Sequence, residues 1–331
     1  MSIKHFFASA NTGVGFVNLF QNINEGGFTY VIKGGSGTGK SSLMKKVGEH
    51  FSLMGFDVEF FHCSTDVESL DGVRIVQKNI AIVDGTLPHV CEVKFPQVDG
   101  KILNVGNFVD EQIKSEKEEI QKIYDSKNLH YKNMYDYLKF IYDLQKINQK
   151  NHKNFENNVF FEENIKILKK VNAKEQNKIG KIRELFFDAL QENGFVNFAG
   201  INNFKNVFEL KKDMFCLNQQ LGLLKQNFYE MGYEVIALKN SVMPELLSAV
   251  VVTDLDVIIF GNDMGLDSEI FLDNNDIIKK LLSLASKTIL KAKNEHKKLE
   301  EIFIKHMNFK MVDKLTKNLI GEIEKNKNKK W

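Results

Sequence analysis

The run Gly34-Gly35-Ser36-Gly37-Thr38-Gly39-Lys40-Ser41-Ser42 has the residue types and spacing to hold a phosphate chain. It fits Gly-x4-Gly-Lys-Ser/Thr, the Walker A pattern. Glycines let the backbone curl so that its N–H groups face phosphate oxygens. A helix beginning at Lys40 adds unpaired N–H groups and a favourable dipole. Lys40 is the residue to reach the β- and γ-phosphates, and Ser41 the one to ligate Mg²⁺. Glycine-rich turns also occur for conformational reasons alone. The lysine, the serine and both flanks favour nucleotide over that plainer account.

A second element follows about forty residues on. Ile80-Ala81-Ile82-Val83 ends in Asp84, then Gly85-Thr86-Leu87-Pro88-His89. A buried strand carries such an aspartate to its C-terminal end, beside the phosphate loop, where it can hold Mg²⁺ directly or through water. Thr86 or His89 is placed to sense a γ-phosphate, against a purely conformational role for this turn. Phosphoryl transfer also needs a group that orients a water or an acceptor hydroxyl. Phe61-His62-Cys63-Ser64-Thr65-Asp66 supplies Asp66 for that task, with His62 as a phosphate partner or proton shuttle. The plainer account is that His62 and Cys63 finish a packed strand. The candidate catalytic set is therefore Lys40, Asp66, Asp84 and His62, with Ser41 and Asp84 for the metal. Asn11 to Phe16 is a glycine-containing turn that could cover a base or an acceptor.

The positioning elements read as an α/β unit. Tyr30 to Lys33 precedes the loop as a strand, a helix runs from Lys40 to about Met54, and Asp57 to His62 returns as a strand. Leu70 to Val76 is ambiguous and reads as a short edge element. The expected fold is a P-loop NTPase α/β fold, mostly parallel, duplicated and carrying helical additions. Its expected divisions are 1–110 for the active core, 111–178 for a helical insert or cap, 179–270 for a degenerate repeat, and 271–331 for a C-terminal helical segment associated with that repeat. In the insert, Tyr131, Tyr135, Tyr137, Phe140 and Tyr142 read as packing of a helical hairpin rather than a nucleic-acid surface. Asn148 to Asn158 reads as its polar tip, and Glu322 to Trp331 as a frayed end.

The repeat is written in the residues. Gly194-Phe195-Val196-Asn197 repeats Gly15-Phe16-Val17-Asn18, and Met231-Gly232-Tyr233-Glu234-Val235 follows Met54-Gly55-Phe56-Asp57-Val58. At that second separation, 54 to 231 or 177 residues, Ser64, Glu68, Leu70 and Val73 meet Ser241, Glu245, Leu247 and Val250. Gly34 to Ser41 then meets Lys211-Lys212-Asp213-Met214-Phe215-Cys216-Leu217-Asn218. Leu217 stands for Lys40, and Gly261 for Asp84. The second copy keeps core positions and loses the phosphate and metal groups. Asp254, Asp256 and Asp263 surround its last strand and read as loop and cap residues rather than metal ligands.

Composition narrows the partners. The chain has 331 residues, 43% hydrophobic and 27% charged, with a formal net charge of +2. That balance gives no general attraction for nucleic acid. No membrane-spanning run or signal-peptide pattern stands out. Three cysteines, Cys63, Cys91 and Cys216, are far apart, which fits a cytoplasmic setting. Arg74 and Arg183 are the only arginines, so few groups can serve as an arginine finger.

Beyond the loop, His5-Phe6-Phe7-Ala8-Ser9-Ala10, Gly15-Phe16-Val17-Asn18, Glu59-Phe60-Phe61-His62-Cys63-Ser64, Leu70-Asp71-Gly72-Val73 and Ala81 to His89 are distinctive. With them the chain resembles the tandem P-loop ATPases, often described as nucleotide-kinase-like, of spore-forming bacteria. The resemblance spans nearly the whole chain. It implies ATP binding and hydrolysis, with Lys40 and Ser41 in their usual roles. Members of that kind can carry a phosphate loop in each half, whereas Lys211 to Asn218 departs from the pattern here. The expectation is Mg²⁺-dependent ATP hydrolysis at one site, coupled to movement of helical segments or to a protein or small-molecule partner. A small-molecule or nucleotide kinase and a nucleotide-gated scaffold with little turnover are the alternatives. The halves could pack together or across a homo-oligomer.

Overall fold

The computed structural model describes residues 2–89, 91–151, 160–198, 204–261 and 272–325. The fold is mixed α/β, with partly parallel sheets flanked by helices. The chain divides into two compact units. One comprises Met1–Ser9, Asn18–Asn133 and Lys287–Trp331, the other Ala10–Val17 and Met134–Ser286.

In the first unit, β1 (Ile3–Phe7) is followed by the hairpin strands β2 (Ser9–Thr12) and β3 (Gly15–Asn18), most of which count with the second unit. Then come β4 (Phe28–Lys33), α1 (Lys40–Leu53), β5 (Val58–His62), β6 (Leu70–Ile75), β7 (Ile80–Asp84) and β8 (Gly100–Asn104). The strand order is β1-β5-β6-β7-β4-β8. β1 pairs with β5 in parallel, and β4 with both β7 and β8. β6 runs antiparallel to β5 and to β7.

The sheet is thus mixed where the sequence suggested a mostly parallel one, and Leu70 to Ile75 is a central strand rather than an edge. The cause is chain length. Only residues 63–69 join β5 to β6, and 76–79 join β6 to β7. Both are too short for the crossover a parallel pair requires. β6 is accordingly buried nearly throughout.

The core of this unit sets Leu43, Met44, Val47 and Phe51 of α1 against Tyr30, Ile32, Val73, Ile75 and Ile82. These α1 positions follow a helical period, so one face is apolar. Val312, Leu319 and Ile323 join the same core from α6 (Phe309–Lys325). From Lys287 onward the C-terminal segment therefore counts with the first unit, whereas it was expected to associate with the repeat. Glu322 to Lys325, expected to fray, are helical. Glu322 accepts from the Tyr30 hydroxyl at 3.0 Å and pairs with Lys101, and Ile323 is fully buried. The remainder of that end lies outside the described residues.

After β8 in the chain come α2 (Lys117–Asn151) and α3 (Phe161–Lys170). Residues 148–151, read from sequence as part of a polar tip, continue α2; residues 152–158 lie outside the described residues. The α2 tyrosines are hydrogen-bonded into protein: Tyr131 to Thr65, Tyr135 to Asn11, Tyr142 to Glu245. Asn11 to Phe16, considered as a ligand cover, is the β2–β3 hairpin. There Thr12 Oγ1 donates to the Gly15 carbonyl, and Gly13 N–H donates to the Val242 carbonyl.

The second unit contains β9 (Lys181–Phe186), β10 (Asp188–Gln191), β11 (Gly194–Asn197), β12 (Asn206–Glu209), α4 (Met214–Glu230), β13 (Glu234–Lys239), β14 (Leu247–Val252) and β15 (Val257–Phe260). Its strand order is β12-β15-β14-β13-β9. Element for element, order and direction match β4-β7-β6-β5-β1. The register matches as well: Ile3 faces Val58 and Ile182 faces Val235, while Gly72 faces Val83 and Ala249 faces Phe260. Its own core joins Leu217, Leu221, Leu224 and Phe228 of α4 to Val235, Val250 and Ile259. α5 (Leu272–Lys305) begins here, and from Lys287 onward belongs to the first unit.

Candidate functional site

The glycine-rich loop joins β4 to α1. Gly37 and Gly39 have φ of 66° and 86°, a left-handed backbone that side chains resist. Thr38 Oγ1 closes the turn by donating to the Gly35 carbonyl at 2.8 Å. α1 begins at Lys40 with no side-chain cap, so its first amides remain without an intrahelical partner.

Lys40 lies within this turn. Its Nζ donates to the carbonyls of Gly34 at 2.9 Å and Gly35 at 2.7 Å, and stands 3.5 Å from Asp84 Oδ2. Asp84 is the last residue of β7, opposite Ile32 on the neighbouring β4. Its Oδ1 accepts from the Thr86 N–H at 2.8 Å. Thr86 Oγ1 in turn donates to the Gly34 carbonyl and accepts from the Gly34 N–H. The turn after β7 is thereby fastened to the first glycine of the loop. Ser41 Oγ accepts from the Leu70 N–H at 3.0 Å, which places its hydroxyl at the start of β6.

That strand brings in a residue whose chemistry the sequence reading overlooked. Asp71 is 4% exposed, and its Oδ2 has no hydrogen-bond partner. His89 Nε2 is 3.6 Å from that oxygen. Burial pushes the Asp71 carboxyl upward; His89 and Lys40 oppose the shift, while Asp84 adds to it. The antiparallel β6–β7 ladder ends at Gly72–Val83, which brings the next residues, Asp71 and Asp84, to the same end of the sheet. Only an antiparallel β6 can do this, so a parallel reading of the sheet hid it. The available signal was the repeat itself, since Asp71 corresponds to Ser248 at the same separation that matches Asp84 with Gly261.

The other sequence candidates lie in a different setting. His62 Nδ1 is 2.6 Å from the Val67 carbonyl, and its Nε2 is 2.8 Å from His5 Nδ1. The carbonyl requires a proton on Nδ1, so Nε2 accepts from His5. Both ring nitrogens are committed to protein, and burial lowers the His62 pKa to about 4. Asp66 accepts from Ser69 Oγ and pairs with Lys293 of α5 at 3.3 Å. Arg74 is tied to Glu59 and Asn24, and Arg183 to Glu234. Asp254 pairs with Lys178, and Asp256 accepts from the Lys205 N–H; Asp263 lies outside the described residues.

α5 passes against the loop. His296 Nδ1 is 3.5 Å from Ser36 Oγ. A β-carbon on Gly35 would come within 2.8 Å of Phe303, and one on Gly37 within 2.8 Å of the Glu300 carbonyl. The glycines thus permit close helix approach as well as the turn.

In the second unit the same place is differently built. Asp213 Oδ1 caps α4 by accepting from the N–H groups of Phe215 and Cys216. The helix starts at Met214, one turn earlier than α1 does once Lys40 is matched to Leu217. Asn218 Oδ1 accepts from the Leu247 N–H at 2.9 Å, the counterpart of Ser41 and Leu70. The matching strand pairs thus surround a site without the lysine or either aspartate.

No family model, curated protein or solved structure matches the chain.

Proposed function

We propose that the chain binds ATP and hydrolyses it with Mg²⁺ at one site, on a duplicated P-loop NTPase fold whose second copy has lost its chemistry. The observation that carries this reading is the position of the Lys40 ammonium. It sits inside a glycine turn at an uncapped helix N-terminus, 3.5 Å from a carboxylate at the end of the adjacent strand. Loop amides and Lys40 suit the β- and γ-phosphates, and the Thr86 hydroxyl suits a sensor of the γ-phosphate.

The residues fit Mg²⁺ as part of a metal–nucleotide complex. Among the described residues, no group of three or more His, Cys, Asp or Glu is arranged to hold a metal alone. Mg²⁺ characteristically uses one or two carboxylates together with phosphate oxygens and water. Ser41 and Asp84 are the ligands offered, and the orphan oxygen of buried Asp71 shows anionic capacity beside them. When bound, the ion would neutralise phosphate charge and orient the reacting oxygens.

The approach of His296, Glu300 and Phe303 to the loop supports coupling of the nucleotide state to helix α5, with a protein or small-molecule partner as the further element of the proposal. Cysteines without disulfide partners agree with the cytoplasmic setting proposed for it. Among the described residues, no helix is long and apolar enough to cross a membrane.

Phosphate release by purified protein, with Lys40→Ala alongside, tests the reading. Wild-type release that requires Mg²⁺ and falls at least about 100-fold in the variant is expected, since lost transition-state donors cost that much. Nucleotide uptake without release would favour a scaffold, and no uptake would overturn ATP binding.

A further inference from the structure

We infer that Asp71 is a positioning residue of the metal–nucleotide site, holding water of the Mg²⁺ shell from the strand opposite Asp84. The inference rests on the ATP reading above.

Three observations converge. The first is electrostatic. The antiparallel β6–β7 ladder ends at Gly72–Val83, and the next residue on each strand is a carboxylate, so two carboxylates share one sheet end. Like charges so placed are destabilising unless a cation serves both. Lys40 supplies one positive charge and sits with Asp84, while the His89 ring stands 3.6 Å from Asp71 Oδ2, beyond hydrogen-bond reach. Two carboxylates so placed still have capacity for a cation.

The second is hydrogen-bond bookkeeping. Asp84 Oδ1 takes the Thr86 amide, and Oδ2 faces Lys40. Asp71 hydrogen-bonds with Cys63, yet its buried Oδ2 accepts nothing from the protein. An unmet buried acceptor is costly and calls for a ligand, here water. Mg²⁺ gives up its hydration reluctantly and is commonly held through water. Ser41, the other candidate ligand, is fastened to Leu70, the residue immediately before Asp71.

The third is an internal control. Ser248 occupies the Asp71 position in β14, where the Gly261 N–H donates to the Ser248 carbonyl at 3.1 Å. The order, direction and register of the strands are kept there without the acid. The fold therefore does not require Asp71. It is absent from the copy in company with the other charges of the site, as Lys40 gives way to Leu217, Asp84 to Gly261 and Asp71 to Ser248. The buried Arg183 and Asp188 show that this unit does tolerate buried charge elsewhere.

The test is calorimetric titration of a non-hydrolysable ATP analogue into the full chain, with and without Mg²⁺, for wild type, Asp71→Asn and Asp71→Ser. The serine variant carries the copy's own residue. Metal-free analogue affinity should be retained or improved in both, because a negative charge near phosphate is removed. The gain in affinity that Mg²⁺ confers should shrink about 10- to 100-fold, the usual effect of losing an outer-shell partner. Metal-free melting temperatures should be unchanged or higher. A full Mg²⁺ gain in either folded variant would overturn the inference while leaving the ATP reading intact. Failure of both variants to fold would also overturn it, by making Asp71 a group of the fold. Absence of analogue uptake by wild type would remove the ATP reading and this inference together.

Discussion

Leu217 lies against Gly261 in the second unit, so closely that a β-carbon on that glycine would sit 2.4 Å from the leucine Cδ2. At the matching positions of the first unit, Lys40 faces Asp84. The two pairs are alternative solutions to one packing problem. An ion pair needs both partners, and a leucine of that reach needs no side chain opposite.

The pairs should therefore exchange as units. Lys40→Leu alone leaves a buried carboxylate without its ammonium and drives a branched side chain toward it. Asp84→Gly alone leaves an ammonium beside carbonyls. Each should destabilise by about 3–5 kcal/mol, the range for a broken buried pair. The double variant should recover about 1–3 kcal/mol of the summed loss, as contacting residues do. Urea unfolding of the four proteins measures this; additive losses would show the pairs are not equivalent. Phosphate release should be absent from all three variants.

Asp213 gives a prediction confined to the copy. Its carboxylate occupies the α4 N-terminus, the place that α1 leaves open. Asp213→Ala should cost about 1 kcal/mol through loss of the cap. Nucleotide affinity and phosphate release should not change. A fall in affinity with no fall in stability would show that the second unit takes part in binding. Denaturant unfolding and calorimetry separate these outcomes.

His62 should make stability fall in mild acid. Its folded pKa, about 4, lies below the ordinary value of 6.5. Folding therefore favours the neutral ring, and the unfolded chain takes up protons first. The stabilisation is complete above about pH 6.5 and is lost as pH falls toward 4. A shift of this size corresponds to at most about 3 kcal/mol. Protonation would also place a second donor between His62 and His5. His62→Gln should flatten the stability profile between pH 7 and 4, read from chemical unfolding at each pH. An unchanged slope would assign acid sensitivity elsewhere.

The candidate site was legible in sequence where local chemistry decides the structure. A glycine turn ending in Lys40-Ser41 needs a strand before it and a helix after it. Ile80 to Val83 is apolar enough to be a buried strand, which brings Asp84 to its end. Direction was not legible for β6, because Leu70 to Ile75 reads equally well either way and the short connections on both sides were not weighed. That single ambiguity concealed Asp71. The long reach of α5 and α6 back to the first unit was equally hidden, since amphipathic helices state that they pack but not where. His62 was misleading for another reason: strand position placed it at the right end of the sheet, but its neighbours His5 and Val67 claim both ring nitrogens.

The extra turn at the start of α4 makes a phosphate loop hard to build in the second unit. A lysine at position 217 would stand within the first turn of a formed, capped helix, beside a strand end that offers it no acid. Three separate repairs would have to coincide: a reopened glycine turn, an uncapped terminus and a new carboxylate. The capped helix and the Leu217–Gly261 contact hold the second unit in a packing of its own.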